Sequence, residues 1–365
     1  MNLDIITGSS NGRTIDSESI NLGSNPGPVA QQIVFKKTSL KMIKIIKILS
    51  LIITIFLTSL ILSFYFYGPV EKNDEVLTFI VPQNNIKFDL IEELYNKGII
   101  KNKNASRKMY SIIYNNFQIK EGGYYLNKSM YTWQIFNILK KDKPDLVWIN
   151  VKFCPRKEQV GELLRNNLNW DEQDLEVWNK LYEGQDYFEG VYYPDTYLIP
   201  INESPEKVAK RLISRFENNI VNFSKDLEEK NISWLTALKI ASLVARESGS
   251  TSDAKIVSSV IWNRLNEDMR LQIDATMQYT KGKNENGSWW GNISLEEKRS
   301  NSLYNTYKHK GLPPTPICSP NIAFIEAAIN PEKTDCLFYL HDENRNIHCS
   351  KTYEEHVDNI NKYLK

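Results

Sequence analysis

An uncharged apolar segment near the amino terminus most constrains how this 365-residue chain can fold. Residues 48–70 contain no charged side chain and consist mainly of Ile, Leu, Phe and Tyr. Twenty helical residues, each rising about 1.5 Å, span roughly 30 Å, which is the thickness of the hydrocarbon core of a bilayer. The segment therefore predicts one transmembrane helix, which we place at residues 44–70.

Charges on either side of this segment predict its orientation. Lysines precede it and mainly acidic residues follow it: Lys36, Lys37, Lys41, Lys44 and Lys47 before, and Glu71, Lys72, Asp74 and Glu75 after. By the positive-inside rule, the amino terminus lies in the cytoplasm and the chain beyond residue 70 lies outside it, anchored in the cytoplasmic (inner) membrane. A cleaved signal peptide is the alternative, but the segment is too long, begins far from Met1 and precedes no convincing cleavage site.

Composition bounds what the rest of the chain can be. The formal net charge is +1, which argues against nucleic acid as a partner, and hydrophobic residues make up 41% of the chain. That fraction is enough for one large domain or two smaller ones. The first 35 residues are rich in Ser, Asn and Gly and poor in large apolar residues, so we expect residues 1–43 to form a disordered cytoplasmic tail.

The part beyond the apolar segment divides into two regions with different patterns. Residues 71–168 contain short alternating strands, each followed by an amphipathic helix, at residues 75–96, 122–140 and 146–166. Such units resemble small LysM-like carbohydrate-binding modules, and a membrane-proximal spacer is the alternative. Residues 169–365 have longer helices broken by Gly, Pro and aromatic loops. The expected fold class is therefore α+β, with a small βα module followed by a larger α+β domain.

Cysteine and histidine spacings suggest neither a metal nor a redox centre. The four cysteines are Cys154, Cys318, Cys336 and Cys349, and the four histidines are His309, His341, His348 and His356. Neither set has the spacing of a zinc site, and no glycine-rich phosphate loop is present, so we expect no cofactor. Two interpretations of the cysteines stay open. They are buried free thiols, or residues 337–340 and 346–351 form a hairpin that brings Cys336 to Cys349.

One glutamate lies where an apolar helix would bury it. In the helix predicted over residues 234–248, Ile240, Leu243, Val244 and Glu247 follow the i, i+3, i+4, i+7 pattern, so the carboxyl group continues the stripe that faces the core. Burial and the negative end of the helix dipole, near the expected cap at Gly249, both raise the pKa of such a carboxyl group. Glu247 is therefore a candidate proton donor near neutral pH. A buried salt bridge to an arginine is the alternative.

About two dozen residues later, polar and apolar side chains alternate in a way that predicts a strand. Over residues 270–279 and the preceding Met269, one face carries Arg270, Gln272, Asp274 and Thr276, and the other carries Met269, Leu271, Ile273 and Ala275. The polar face offers the mixed donors and acceptors that sugar hydroxyl and acetamido groups require. Nearby aromatic residues could supply flat surfaces for sugar rings: Tyr279, Trp289, Trp290, Tyr304 and Tyr307. An ordinary amphipathic edge strand is the alternative.

Several motifs in one order give a specific resemblance. They are ASLVARES at residues 241–248, NRL at 263–265, MRLQIDAT at 269–276 with Tyr279, YNTY at 304–307, GLPP at 311–314 and PI at 316–317. EGVYYPDTY lies upstream at 189–197, and His348, Ser350, Thr352, Glu355 and His356 lie downstream. Together these resemble the endolytic murein transglycosylases of the YceG-like family, over most of residues 75–365. The resemblance implies a YceG-like α+β catalytic domain at residues 169–365.

The resemblance also implies roles for individual residues. Glu247 matches the family's catalytic glutamate, while Ala245 replaces a second glutamate and Arg246 replaces a lysine; residues 283–288 form an insertion-like loop. Substrate binding is expected from Gln272, Asp274, Thr276, Tyr279, Tyr304, Asn305 and Thr306. Structural roles are the alternative for these, and Asn305 and Thr306 could instead cap a turn. No metal is implied.

The implied reaction cleaves the β-1,4 bond between N-acetylmuramic acid and N-acetylglucosamine in peptidoglycan without water, leaving a 1,6-anhydro end. One carboxyl group suffices, because the substrate's own C6 hydroxyl attacks C1, whereas hydrolases commonly use two carboxylates. The implied partners are nascent glycan strands, the membrane, and peptidoglycan synthases of elongation or division. Two rivals stay open. One is a muramidase-like hydrolase that uses Glu247 and Asp274, and the other is a non-catalytic wall-binding scaffold.

Overall fold

The computed structural model of this chain describes residues 28–84, 87–185 and 187–364. It divides into two compact units, with the boundary between Phe66 and Tyr67. Residues 1–27, which belong to the tail expected to be disordered, lie outside the described residues.

The amino-terminal unit contains one long helix, α1, at Pro28–Tyr67. Its portion Ser39–Tyr67 is the one described helix that is long and apolar enough to cross a membrane. The helix begins earlier than expected, since residues 28–43 were assigned to the disordered tail. Composition shows that these residues cannot build a core, but extending an existing helix requires no core, because each added residue gains a backbone hydrogen bond without a new nucleation step. Pro28 suits the first helical position.

A four-stranded antiparallel sheet begins the second unit. Its strands are β1 at Val76–Val81, β2 at Gly122–Asn127, β3 at Leu146–Asn150 and β4 at Thr196–Pro200, and they lie side by side in that order. Gly122 and Gly123 allow β3 to approach β2, because a β-carbon on either would clash with Leu146. Helices α2 at Leu90–Asn96, α3 at Lys103–Ile112 and α4 at Thr132–Leu139 accompany β1 and β2. The three predicted strand–helix units are all present, and α3 is an additional helix.

Nine further α-helices follow β3 in the described part of the chain. They are α5 at Lys157–Asn167, α6 at Glu172–Lys180, α7 at Pro205–Ile220, α8 at Ser224–Glu229, α9 at Trp234–Glu247, α10 at Ala254–Asn266, α11 at Asp274–Lys281, α12 at Ile322–Ile329 and α13 at Tyr353–Tyr363. Between α12 and α13 lies a hairpin of β5 at Phe338–His341 and β6 at Ile347–Ser350.

Two hydrophobic cores hold this unit together. The smaller one lies between β1, β2 and α4 and is built on residues such as Phe79, Tyr124 and Phe136. The larger one surrounds α9, whose apolar side chains are almost completely buried. Val160 and Leu164 on α5 also belong to the larger core, although the sequence pattern assigned α5 to the first module. The larger core therefore includes residues of the predicted first module, which was placed at residues 71–168.

All four cysteines are paired in disulfide bonds. Cys336 is bonded to Cys349 across the β5–β6 hairpin, which confirms the hairpin interpretation and shows that the free-thiol interpretation was wrong. Cys154 is bonded to Cys318, which lies 164 residues away in sequence, a pairing that spacing did not indicate. The first bond fixes the hairpin that follows α12, and the second ties the segment after β3 to the segment before α12.

Candidate active site

Glu247 is the last residue of α9, the helix at the centre of the larger core. The helix starts at Trp234 because the Ser233 side chain accepts a hydrogen bond from the backbone N–H of Thr236. It then buries an apolar stripe that ends at the half-buried Glu247. The hydroxyl group of Tyr339, on β5, donates a 2.8 Å hydrogen bond to Oε2 of Glu247. A carboxyl group is thus held at the end of a rigid helix with one of its two oxygens fixed.

The surroundings of Glu247 raise the pKa of its carboxyl group. Burial is the largest cause, and the negative charge of Asp274 acts in the same direction. The Tyr339 hydroxyl, the backbone N–H of Ala275 and the charge of Arg246 oppose the shift, with Arg246 the weakest of the five influences. The salt-bridge alternative is therefore wrong, because no arginine in the described part of the chain forms an ion pair with this carboxylate. Glu247 holds its proton at a higher pH than an ordinary glutamate.

A cavity of about 220 Å³ opens beside the Glu247 carboxyl group. Its walls combine polar and apolar side chains, as the walls of a ligand site do. Its lining residues are Glu247, Val260, Ile261, Arg264, Leu271, Gln272, Ile273, Phe338, Tyr339 and His356. Larger cavities of about 600 Å³ lie beside α7 and α10, but Glu247 lines neither of them.

The strand predicted over residues 270–279 is not formed, because α11 begins at Asp274. Gln272 has a left-handed φ of 53°, which interrupts the extended backbone. The backbone N–H groups of Gln272 and Ile273 then donate to the carbonyl and hydroxyl oxygens of Thr306, at 3.0 and 2.9 Å. These contacts come from a distant loop, so alternation in the local sequence could not reveal them.

Three of the four polar residues on the predicted strand consequently have different positions. Gln272 is exposed and lines the cavity, as a substrate-binding residue would. Asp274 forms a 2.8 Å ion pair with Nζ of Lys298 and accepts a hydrogen bond from the Tyr307 hydroxyl. Thr276 is fully buried and donates to the carbonyl oxygen of Ile273 at 2.8 Å. Only Gln272 faces the cavity directly, and Asp274 acts on Glu247 through its charge.

Asn305 and Thr306 are buried and shape the loop that supports the site. The Asn305 side-chain amide donates to the carbonyl oxygens of Lys298 and Ser300 at 3.0 and 2.8 Å. Its own oxygen accepts from the backbone N–H of Tyr307 at 3.0 Å. Thr306 fixes the segment before α11, as described above. The turn-capping alternative therefore describes Asn305 and Thr306 better than direct substrate binding, which was expected for both.

Tyr279 and Tyr304 were also expected at the substrate, but they do not line the cavity beside Glu247. Their ring centres lie 5.1 Å apart. The Tyr279 hydroxyl donates to Oε2 of Glu189 at 3.4 Å, and the Tyr304 hydroxyl contacts Thr315 at 2.7 Å. Glu189 is completely buried, and burial together with the nearby Glu158 raises its pKa to about 8. These residues form a second cluster of buried polar groups.

Three residues of the site were not singled out from the sequence. Tyr339 holds Glu247, and nothing in the hairpin pattern distinguished it from its neighbours. Arg264 lies in the NRL motif, and its guanidinium donates to the carbonyl oxygens of Leu337 and Leu271 at 2.6 and 2.7 Å. Phe338 stacks on His356, which had been noted only as part of the carboxy-terminal motif. Arg264 thereby connects β5 to the segment that carries Gln272.

The residues around Glu247 thus define a site with one proton-bearing carboxyl group and a polar cavity. The YceG-like family matches residues 79–362, so the chain belongs to that family. The endolytic murein transglycosylase of Bacillus subtilis (strain 168) is 28% identical in an alignment of 325 positions that covers 81% of this chain and 87% of that protein.

Two further relatives agree with this assignment. The endolytic murein transglycosylase of Streptococcus pneumoniae serotype 2 is 32% identical in an alignment of 182 positions that covers 48% of this chain and 32% of that protein. The crystal structure of a YceG-like protein from Listeria monocytogenes matches with a TM-score of 0.52 and 25% identity, over 78% of this chain and 99% of the other. Both the sequence and the fold thus support the family.

Proposed function

We propose that this protein is a membrane-anchored endolytic peptidoglycan lytic transglycosylase that cleaves nascent glycan strands and thereby terminates their elongation. The main observation in support of this proposal is that the Glu247 carboxyl group has a raised pKa and borders a cavity. The names of the relatives from Bacillus subtilis and Streptococcus pneumoniae give the same activity. The substrate is the β-1,4 bond between N-acetylmuramic acid and N-acetylglucosamine.

In the first half of the reaction, Glu247 acts as a general acid. The Tyr339 hydroxyl donates to Oε2, so the proton resides on Oε1 and is available to the substrate. Transfer of this proton to the glycosidic oxygen accompanies cleavage of the bond from that oxygen to C1 of the muramic acid. The raised pKa keeps Glu247 protonated before this step. Gln272, at the cavity wall, is placed to hydrogen-bond a sugar hydroxyl or acetamido group.

In the second half, the Glu247 carboxylate acts as a general base. It accepts the proton of the C6 hydroxyl group as that oxygen bonds to C1, which closes the 1,6-anhydro ring and restores the protonated acid. No water is consumed, and the same carboxyl group begins and ends the cycle protonated. Tyr339 stabilises the transient carboxylate by donating to it, because hydrogen bonds to a charged acceptor are stronger than those to a neutral one.

A muramidase-like hydrolase is the second candidate, because the charge of Asp274 acts on Glu247 and two carboxyl groups therefore share the site. Hydrolysis needs the second carboxylate as a base or nucleophile. Asp274 is instead engaged by Lys298 and Tyr307, which favours the lytic reaction. Mass spectrometry of strands cleaved by the full-length protein in detergent distinguishes the two, since anhydro ends are lighter by one water than reducing ends. A majority of reducing ends would exclude the lytic mechanism.

The location that we propose is the cytoplasmic (inner) membrane, with the amino terminus in the cytoplasm and the second unit outside. Five lysines before the uncharged segment at residues 48–70 and two disulfide bonds after it support this orientation, because disulfides persist in oxidising compartments. A reporter enzyme that works only outside the cytoplasm should be active when it is fused after residue 365.

We further propose that residues 71–168 are a LysM-like module that binds the glycan, and that residues 169–365 carry out catalysis. The pairing of β1 with β2 and the helices α2 to α4 packed with them are consistent with a small binding module. Synthases of elongation or division are the partners that we propose, since these enzymes make the strands that Glu247 would cleave. Crosslinking in cells should capture such a synthase with the intact chain.

A further inference from the structure

Arg246, directly before Glu247 on α9, has a charge that no described residue neutralises by contact. Its side chain is partly buried, and its Nε atom lies away from solvent without a hydrogen-bond acceptor. The one opposing charge that acts on it is Glu247, whose own pKa is raised. When Glu247 is protonated, as the first half of the reaction requires, Arg246 has no counter-charge among the residues that the structure describes. Burying a guanidinium group without a counter-ion is unfavourable.

Two other buried or half-buried arginines in the same unit have their donors satisfied. Arg156 binds both oxygens of Glu158, at 3.2 and 3.0 Å, and donates to the carbonyl oxygen of Tyr279 at 2.6 Å. Arg264 donates to backbone carbonyl oxygens at 2.6 and 2.7 Å. Arg246 differs from both, although it lies beside the catalytic carboxyl group. The fold therefore provides acceptors where an arginine is structural and leaves this one without any.

A tryptophan holds the Arg246 guanidinium in place. Its Cζ atom lies 3.9 Å from the centre of the Trp290 ring, close enough for a cation–π contact. Trp290 is fixed in turn, because its indole N–H donates to Oε1 of Gln159 on α5 at 3.1 Å. Neighbouring residues on a helix point about 100° apart, so Arg246 borders the face next to Glu247. The result is an oriented cation, with its face on an indole, one residue before Glu247 on α9.

We propose that Arg246 and Trp290 form a binding site for a carboxylate on the lactyl branch of the muramic acid next to the cleaved bond. This inference rests on the proposed function. The sugar ring of each unit carries hydroxyl and acetamido groups, which are neutral, so negative charge on an uncrosslinked strand lies on that branch. Where the peptide has been removed, the negative charge is that of the lactyl carboxylate itself. Where the peptide is present, the negative charge lies on the carboxylates of the peptide. A guanidinium group matches a carboxylate with two parallel hydrogen bonds.

Three glycan substrates test whether negative charge on the substrate matters and which carboxylate carries it. The first carries its peptides, the second carries the same peptides with all carboxylates converted to amides, and the third lacks peptides and exposes the lactyl carboxylate. We expect wild-type kcat/KM on the first to exceed that on the second by about 10-fold or more, the usual effect of a hydrogen bond to a charged group. Activity on the third near that on the first identifies the lactyl carboxylate as sufficient, whereas activity near that on the second identifies the peptide carboxylate.

Arg246→Gln should remove this discrimination, so that the ratio of kcat/KM between the first two substrates falls to about one. Arg246→Lys keeps the charge without the planar fork and should give an intermediate ratio. Arg165→Gln is the control for a lost positive charge, because Arg165 pairs with Glu172 at the exposed surface of α5. It should keep the wild-type ratio. Thermal melting of each variant excludes misfolding.

A wild-type ratio near one, or an Arg246→Gln ratio equal to that of the wild type, would overturn the carboxylate site. Neither result affects the proposed function, which is tested by Glu247→Gln on the first substrate. Loss of all cleavage in Glu247→Gln together with an unchanged ratio in Arg246→Gln would leave the transglycosylase intact and refute only the carboxylate site. Near-normal cleavage by Glu247→Gln would refute both.

Discussion

Replacing Tyr339 with phenylalanine isolates the side-chain hydrogen bond that holds Glu247. The substitution keeps the ring in the cavity wall and removes only the hydroxyl that donates to Oε2 at 2.8 Å. That donor favours the carboxylate form and therefore lowers the pKa of Glu247, against the larger effect of burial. Without it, the pKa of Glu247 should rise further above its ordinary value.

The size of the shift follows from the strength of the bond. A hydrogen bond to a charged group contributes about 1.5–3 kcal/mol, and one pKa unit corresponds to about 1.36 kcal/mol, so the full range is about one to two units. Glu247 is only partly buried, and solvent takes over part of the lost bond. We therefore expect a rise of about one unit. In addition, kcat should fall on the order of 10-fold, because the carboxyl group loses its fixed orientation.

The assay is the pH dependence of kcat/KM for anhydro-end formation. Activity requires protonated Glu247, so it is lost as pH rises through the pKa of this residue. Tyr339→Phe should move this alkaline limb to higher pH by about one unit. Tyr353→Phe is the matched control, since Tyr353 is exposed near Phe338 and does not contact Glu247. An alkaline limb that stays in place or moves to lower pH in Tyr339→Phe would refute the assigned role of the hydroxyl.

Three further predictions test other parts of the structure. Asp274→Asn removes the charge that raises the pKa of Glu247, so the alkaline limb should move to lower pH while the product keeps its anhydro ends; reducing ends or a shift to higher pH would contradict this. Glu189 has a pKa of about 8 in the folded protein and an ordinary pKa of 4.5 in the unfolded chain. Its contribution to the free energy of unfolding is therefore fully present below about pH 4.5 and is lost as the pH rises through 8. Chemical unfolding at several pH values should show this slope, at most about 1.36 kcal/mol per unit, and Glu189→Gln should flatten it; an equal slope in both proteins would exclude Glu189 as its source. Replacing Cys336 and Cys349 together with serine should lower stability by about 2–4 kcal/mol and reduce kcat, because the bonded hairpin carries Tyr339; unchanged unfolding and turnover would rule out that role.

The site glutamate could be predicted from the sequence because its signal is local. The spacing from Ile240 to Glu247 places the carboxyl group on the buried stripe of one helix, and no distant contact is needed to see this. The disulfide between Cys336 and Cys349 could be predicted for the same reason, since one hairpin joins the two cysteines. The helical start of the amino-terminal segment was misplaced because composition reports on core formation and not on helix extension.

Other features of the site depend on residues that are far apart in sequence. Local alternation favoured a strand that extends as far as Thr276. Thr306 instead accepts hydrogen bonds from the backbone N–H groups of the residues before α11, and these contacts end the extended segment. Tyr279 was expected to supply a flat surface for a sugar ring. Its hydroxyl group instead donates a hydrogen bond to the buried Glu189, which lies 90 residues earlier in the sequence. Tyr339 reaches Glu247 from 92 residues away. Such pairings are set by tertiary packing, so no periodicity within one segment could indicate them.

The most direct measurement of the central claim is the rate at which Glu247→Gln forms anhydro ends on uncrosslinked glycan strands, relative to the wild-type protein. Loss of a general acid costs about 100-fold or more, so we expect at least that reduction, with unchanged thermal unfolding at a pH where Glu247 is protonated. Wild-type cleavage in ¹⁸O-labelled water should leave no label on the new ends. Near-normal turnover by Glu247→Gln, or labelled ends from the wild type, would contradict the account.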